Sequence, residues 1–218
     1  MKSKVTTAPA SEPVTLTELK SSLRITNTAE DTLLTQFISD ARMFAENYTG
    51  KKFISQTVTS YYDANTRSYR GMSEIVDDFW DGMREGAISQ VAGSPDIELE
   101  FAPAISVTSI DTIDVDNSET TYSSSNYYLD NFDESLRPAI VFNDGESIND
   151  TGMRISNSIK IIYVAGYGAS ASDVPHELRR AIIMLAGALW ANRGVQCSTQ
   201  QCGDDCGTNK ILEHFKNH

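Results

Sequence analysis

The chain has 218 residues, a formal net charge of −12 and a hydrophobic fraction of 40%. This composition is sufficient for a folded core, and the length fits one large domain or two small ones. Residues 1–12 lack the apolar segment of a signal peptide. The longest apolar run, Ala181–Ala191, is shorter than the ~20 residues of a membrane-spanning helix. We therefore expect a soluble protein that is not secreted and does not enter a membrane.

The negative charge is concentrated in the middle of the chain. Residues 74–150 contain 18 acidic side chains and two arginines, whereas the remaining residues carry a net charge of +4. Because such a segment repels phosphate, we do not expect it to wrap DNA. The preferred interpretation of this acidity is solubility. A second interpretation is that the acidic surface prevents nucleic acid or a wrong partner from binding.

Two amphipathic helices are predicted near the N-terminus. The first begins after Thr15, because Glu18 lies three residues further on and the two residue types together form a capping box. Val14 stands where a hydrophobic staple requires an apolar residue. The second helix is predicted over 29–49, where apolar residues recur every three or four positions. It ends before Gly50, a residue type suited to the left-handed conformation that follows many helices.

Residues 53–164 show the shorter period of β-strands, and five or six strands are predicted there. The clearest alternation is Ile97–Phe101, with apolar residues on one face and acids on the other. Between Val107 and Val115 the apolar period is not kept, which predicts a β-bulge or a break near Asp111. The other predicted strands are 54–62, 126–129, 139–142 and 159–164, and hairpin turns are predicted at 116–118 and 143–145.

A strand, a glycine turn and a helix follow one another in Ser158–Gly194. Gly166 and Gly168 match a dinucleotide-binding G-x-G-x-x-A pattern, but Ser170–Pro175 separate them from the helix and no strand follows it. We therefore interpret both glycines, with Pro175, as a hinge between sheet and helix.

The helix after that hinge is apolar nearly all round. It must therefore be buried on every side, by its own chain or by neighbouring subunits. The residues predicted to form this core or oligomer surface are Leu178, Ile182, Leu185, Leu189 and Trp190.

These patterns predict an α+β fold. It consists of a small helical bundle, made of two N-terminal helices and one C-terminal apolar helix, with an inserted antiparallel β-rich module. The predicted parts are a flexible N-terminus over 1–12, a helical core over 13–52 and 158–194, and an acidic β-rich insertion over 53–157. A polar tail over 195–218 ends in a short helix.

The residue types of an active site are scarce. No Ser-His or Cys-His arrangement occupies a strand-to-helix elbow, and the paired carboxylates lack apolar neighbours that would raise a pKa. We predict neither enzymatic activity nor a cofactor. Cys197, Cys202, Cys206 and His214 could supply four zinc ligands, but they lack the usual C-x2-C pairs. Free thiols in the tail are the preferred interpretation.

Three stretches of the chain resemble one known family. They are Pro13–Ile25, Asp31–Lys51 and Tyr163–Arg193, which contain PVTLTELK, ENYTGK, and YVAGYG followed by WANR. In this order and spacing they are similar to the head–tail connector proteins (adaptor or head-completion proteins) of tailed bacteriophages, in the branch with a β insertion between the helices. Residues 97–110, a strand, a proline and a second strand, also fit that insertion.

The resemblance implies a structural virion protein without catalytic residues. Such proteins form a ring, typically dodecameric, beneath the portal protein. The ring extends the DNA channel, lets DNA pass without specific binding, and offers a docking surface to the tail or the next connector. By the same analogy Ile211, Leu212 and Phe215 would bind the portal. The protein would be assembled in the host cytoplasm and would reside in the neck of the virion.

Two other interpretations stay open at this point. One is another structural part of the virion, either a tail-completion protein or a capsid decoration protein. The other is a metal-binding protein that uses the C-terminal cysteines.

Overall fold

The computed structural model describes residues 2–63, 96–131, 137–143, 145–148, 152–192 and 208–216. Within these ranges the chain has the predicted α+β fold. The helices are α1 (Leu16–Leu23), α2 (Asp31–Thr49), α3 (His176–Ala191) and α4 (Thr208–Glu213). The strands are β1 (Lys2–Thr7), β2 (Gln56–Tyr62), β3 (Ile97–Glu98), β4 (Ala104–Ile113), β5 (Glu119–Thr121), β6 (Tyr127–Asp130), β7 (Ala139–Phe142) and β8 (Ile159–Ala165).

The strands form two antiparallel sheets. The larger has the order β1-β2-β8-β4-β5, and the smaller has the order β3-β7-β6. One hydrophobic cluster lies among the helices and a second lies between the two sheets. Tyr163 belongs to the second cluster and is fully buried, and its hydroxyl accepts a hydrogen bond from the Phe101 backbone N–H at 3.2 Å. This bond joins the larger sheet to the chain that leaves β3.

Strand β8 is the centre of the larger sheet. It pairs along its whole length with β2, from Gln56 opposite Ala165 to Tyr62 opposite Ile159, and with β4 on its other side. Its alternate side chains at 159, 161, 163 and 165 are at most 3% exposed. We expected residues 158–194 to belong to the helical core. The strand predicted at 159–164 within this stretch is present as β8, and it is the shared partner of β2 and β4.

The start of α1 is as predicted. The Thr15 hydroxyl accepts a hydrogen bond from the Glu18 backbone N–H, and the Glu18 carboxylate accepts one from the Thr15 backbone N–H at 2.8 Å. Val14, just before the cap, is 1% exposed, as a hydrophobic staple requires.

Helix α2 begins at Asp31, two residues later than predicted, and ends at Thr49 as predicted. Gly50 follows it with φ of +71°, in the left-handed conformation. Glu30 occupies the N-cap position without a capping side-chain bond. Its carboxylate instead accepts the indole N–H of Trp190 on α3 at 2.8 Å. The Glu30 side chain therefore bonds to a distant part of the chain and does not cap α2.

The prediction of a flexible N-terminus is wrong for the first residues. Residues 2–7 form β1, which pairs antiparallel with β2 at one edge of the larger sheet. Val5 packs against the sheet cluster, and the Ser3 hydroxyl lies 2.8 Å from the hydroxyl of Ser60. The alternation of small, polar and charged residues there is too weak to predict a strand, but β2 supplies a partner with the same pattern.

Strand β4 has irregular register close to the bulge or break predicted near Asp111. The register of β4 against β8 shifts between Ala104 and Ser106 and again between Val107 and Ser109, upstream of Asp111. Ile110 and Asp111 are both buried although they are neighbours in sequence. The Asp111 carboxylate is accommodated because it accepts hydrogen bonds from Ser109 and from Thr121.

The turn predicted at 116–118 joins β4 to β5, with Asn117 at φ of +61°. The turn at 143–145 is present, since the Glu146 N–H donates to the Asn143 carbonyl, but Asp144 lies outside the described residues. No described strand pairs with β7 directly after this turn, so it is not a hairpin.

The glycine turn between β8 and α3 is packed against the segment just before β2. Gly166 has φ of +139°, and its N–H donates to the Pro103 carbonyl at 2.9 Å. The Gly168 carbonyl accepts the Ser55 N–H at 2.8 Å. A Cβ atom on Gly166 would lie 2.7 Å from the backbone of Ile54, closer than side chains approach.

We predict that Gly166→Ala lowers the free energy of unfolding by about 3 kcal/mol or more, because it adds a backbone clash to an unfavourable φ. The matched control is Gly145→Ala, where φ is +81° but nothing lies within 4 Å of the new methyl group. That substitution should cost about 1 kcal/mol. Urea unfolding of the three proteins measures both values, and equal losses would show that the close packing of Gly166 contributes nothing.

Candidate assembly surfaces

Helix α3 is the surface on which the other helices pack. Leu178, Ile182 and Leu185 are fully buried by the chain's own α1, α2 and α4. Leu189 and Trp190 are only partly buried against the same cluster. Of the five residues predicted from the sequence as core or oligomer surface, three are therefore core residues. Only Leu189 and Trp190 keep exposed surface that another subunit could contact.

An open cleft of about 560 Å³ lies between α1 and α3. Its apolar wall is Ile183 and Met184, on the side of α3 that the chain's own helices leave partly exposed. The remaining lining residues are Glu18, Ser22, His176, Arg179 and Arg180. An apolar strip with basic side chains beside it is a surface on which a second protein can pack.

One wall of this cleft is fixed by ion pairing. Arg179 forms a salt bridge with Glu18 and also donates to the Pro13 carbonyl at 2.9 Å. The pKa of Glu18 is lowered, first by the hydrogen bond from the Thr15 backbone and also by the charge of Arg179. The residues that cap α1 thus also hold α1 against α3.

The terminal helix α4 is docked on α2 and α3. Leu212 is fully buried in the helical cluster, and Ile211 and Phe215 pack against it partly buried. The Tyr48 hydroxyl on α2 donates to the Glu213 carboxylate. Of the three residues predicted to bind a portal protein, Leu212 is not accessible in this position. The exposed side chains of α4 and the residues after it include Lys210 and His214.

The candidate zinc ligands are not brought together in the described part of the chain. Cys197, Cys202 and Cys206 lie outside the described residues, and the His214 side chain packs edge-on against Phe215 with ring centroids 5.4 Å apart. Within the described ranges no group of three His, Cys, Asp or Glu side chains is placed to bind a metal ion.

The two glycines and the proline predicted as a hinge all lie between β8 and α3. Pro175 directly precedes the first residue of α3. Gly168 packs against the Asp173 side chain, where an added Cβ would lie 2.2 Å from a carboxylate oxygen. This packing and the backbone bonds to Phe53 and Ser55, which precede β2, hold the turn in place.

Sequence reasoning missed a buried group of charged side chains at the end of α2. Glu46 is 3% exposed, and its carboxylate accepts hydrogen bonds from the side chains of Lys52 at 3.2 Å and Gln56 at 2.8 Å. Arg42 lies 3.4 Å from the same carboxylate and also donates to Glu12 at 2.7 Å. Burial alone would lower the pKa of Arg42, but the bond to Glu12 and the charge of Glu46 raise it above its usual value.

The first half of the chain shows the family to which it belongs. Residues 13–126 match the model of the phage gp6-like head-tail connector protein, and this match covers α1, α2 and β2 to β5. The chain belongs to the phage gp6-like head-tail connector family. Its members are structural proteins, so the chain is a connector-type virion component and not an enzyme.

Solved structures with the same fold come from gene transfer agent particles. A chain in the virion of the native particle has 21% sequence identity and a TM-score of 0.70, and the match covers 100% of this connector chain and 96% of that chain. A chain in the neck of the empty particle, computed with C6 symmetry, has 20% identity and a TM-score of 0.69 over the same shares. A chain in the neck of the native particle, computed with C12 symmetry, has 20% identity and a TM-score of 0.66 over the same shares.

No curated protein matches the connector chain in sequence. In the part of the chain that the structure describes, no helix has the length and hydropathy needed to cross a membrane.

We predict that Glu46→Gln lowers the free energy of unfolding by about 3–5 kcal/mol, because it leaves the buried Arg42 and Lys52 without their shared counter-charge. The matched control is Glu177→Gln on the exposed first turn of α3, which should cost less than about 1 kcal/mol. Chemical denaturation measures both. A loss at Glu46 no greater than at Glu177 would contradict the central role of this carboxylate.

We predict that Glu18 contributes to the acid dependence of stability. Its folded-state pKa lies below the ordinary value of 4.5, so its contribution is complete above pH 4.5 and is lost as the pH falls through the lower folded value. Glu18→Gln should therefore be less stable than the wild type at pH 7, and the difference should shrink at about pH 3. Urea unfolding at the two pH values checks this, and an unchanged difference would contradict it.

Proposed function

We propose that this chain is a connector of the virion neck that forms a homo-oligomeric ring beneath the portal protein. The ring extends the channel through which DNA leaves the head and presents a docking surface to the tail or to the next connector. The observation that carries this proposal is the family match over residues 13–126. The likeness over the full chain to proteins of gene transfer agent particles, two of them from the neck, supports it.

The structure offers surfaces that suit such an assembly. The cleft between α1 and α3 provides an apolar strip, Ile183 and Met184, that a neighbouring subunit would cover. The two edges of the larger sheet are open within the described residues. A ring of twelve copies is consistent with the C12 symmetry with which one of the similar necks was computed.

The charge of the protein suits a channel that must not hold DNA. The acidic surplus over residues 74–150 disfavours close approach of phosphate, so DNA passes without specific binding. The neck is the site of residence in the virion, and assembly takes place in the host cytoplasm.

The C-terminal segment is the proposed contact with the portal. In the docked position of α4, Leu212 fills the helical core, so the accessible contacts are Lys210, His214 and the exposed parts of Ile211 and Phe215. Burial of Leu212 by a portal protein instead would require α4 to leave α2 and α3.

Cryo-electron microscopy of particles that contain this chain tests the proposal. The expected result is a ring of this fold between the portal and the tail. Density only on the capsid shell would identify a decoration protein, and density only at the end of the tail would identify a tail-completion protein. Either result would overturn the connector assignment.

We predict that the double substitution Lys210→Glu and His214→Glu weakens binding of the chain to its portal protein by at least about tenfold, because interface charges of the wrong sign repel. Both side chains are exposed, so the fold should survive. The control is Asp40→Lys on the exposed face of α2, which should bind as the wild type does. Pull-down with purified portal measures the effect, and full binding by the double variant would exclude these residues from the contact.

A further inference from the structure

The larger sheet ends in an open strand on each side. Strand β1 pairs only with β2, and β5 pairs only with β4, among the strands that the structure describes. An edge strand presents a row of backbone N–H and carbonyl groups to its open side. Because β1 and β5 lie at opposite ends of one sheet, these two rows face away from each other across the subunit.

The two open strands carry charge of opposite sign. Lys2 and Lys4 are exposed on β1. Glu119 is exposed on β5, and Asp116 is exposed in the turn that leads into it. Glu119 also forms a salt bridge with Lys160 at 2.7 Å, so part of its charge is already compensated.

Lysines on an edge strand can also serve to prevent pairing with other chains. The distribution of charge argues for selective pairing instead. Two β1 edges repel each other, and two β5 edges repel each other, but β1 of one copy attracts β5 of another. A contact between two different surfaces of identical copies is head to tail, and repetition of such a contact forms a ring when the rotation between neighbours closes and an open filament when it does not.

We propose that adjacent copies in the ring pair edge to edge, with β1 of one subunit beside β5 of the next. Backbone hydrogen bonds then join their sheets, and Lys2 and Lys4 face Asp116 and Glu119 of the neighbouring copy. This inference rests on the ring of the proposed function and names the surface that forms it.

The short length of β5 limits the strength of this pairing. Three residues supply only a few hydrogen bonds, so the sheet contact fixes the register between neighbours while apolar burial at the α1–α3 cleft supplies further affinity. A weak contact repeated around a closed ring is sufficient once the copies are gathered on one template.

A test by charge exchange uses two variants of the full chain. The first variant carries Lys2→Glu and Lys4→Glu, and the second carries Asp116→Lys and Glu119→Lys. Either variant alone places like charges across every edge contact. A mixture of the two can alternate around a ring of even number, and every edge contact is then complementary again.

Particles are purified from cells that supply the first variant, the second variant or both, and copies of the chain per neck are measured by mass spectrometry. We expect each variant alone to fall at least about tenfold below the wild type, and the mixture to recover most of the loss. A control variant, Asp40→Lys with Glu177→Lys, changes the net charge as the second variant does but lies away from the sheet, and should assemble alone.

Three results would overturn the proposal. They are normal incorporation of either variant alone, failure of the mixture although circular dichroism shows both variants folded, and failure of the control variant to the same degree. If the wild-type chain itself is absent from the neck, the proposed function is wrong. If wild-type rings form but the edge charges do not affect them, the function stands and the edge pairing is wrong.

Discussion

The carboxylate of Glu46 lies where three parts of the chain meet. It is on α2, and it accepts hydrogen bonds from Gln56, the first residue of β2, and from Lys52 in the segment before that strand. It also neutralises Arg42, which in turn donates to Glu12 in the segment before α1. The same carboxylate also accepts a hydrogen bond from the Phe53 backbone N–H at 3.3 Å. A buried charge is tolerated only if all its partners are in place. This one side chain therefore ties α2 to the segment that leads into β2 and, through Arg42, to the segment before α1.

Features that depend on neighbouring residues could be predicted from the sequence. The capping box of Thr15 and Glu18, the end of α2 at Gly50 and the turn around Asn117 each follow from the conformational preferences of a few consecutive residues. The apolar residues after Pro175 also predicted the position of α3 correctly. The family resemblance rested on these same local motifs, and the family match over residues 13–126 confirms it.

Features that depend on distant residues could not be predicted in the same way. Strand β1 exists because β2 lies beside it, and nothing within Lys2–Thr7 requires a strand. The Glu30 side chain at the N-cap of α2 binds Trp190, which is 160 positions away in the sequence. The sequence of α4 suggested an amphipathic helix that could bind a partner, yet it does not reveal that Leu212 would be buried within its own chain. An amphipathic helix shows the same apolar spacing in its sequence whether its apolar face is covered by its own chain or by another protein.

The central position of β8 has a consequence for how the chain folds during synthesis. Strands β2 and β4 leave the ribosome long before their shared partner. They do not pair with each other, because β8 (residues 159–165) lies between them in the sheet. The larger sheet therefore cannot close until most of the chain has been made, and its unpaired strands are open to wrong contacts in the interval. The helices α1 and α2 likewise wait for α3 to complete their core. One strand and the helix that follows it therefore complete both hydrophobic clusters late in synthesis.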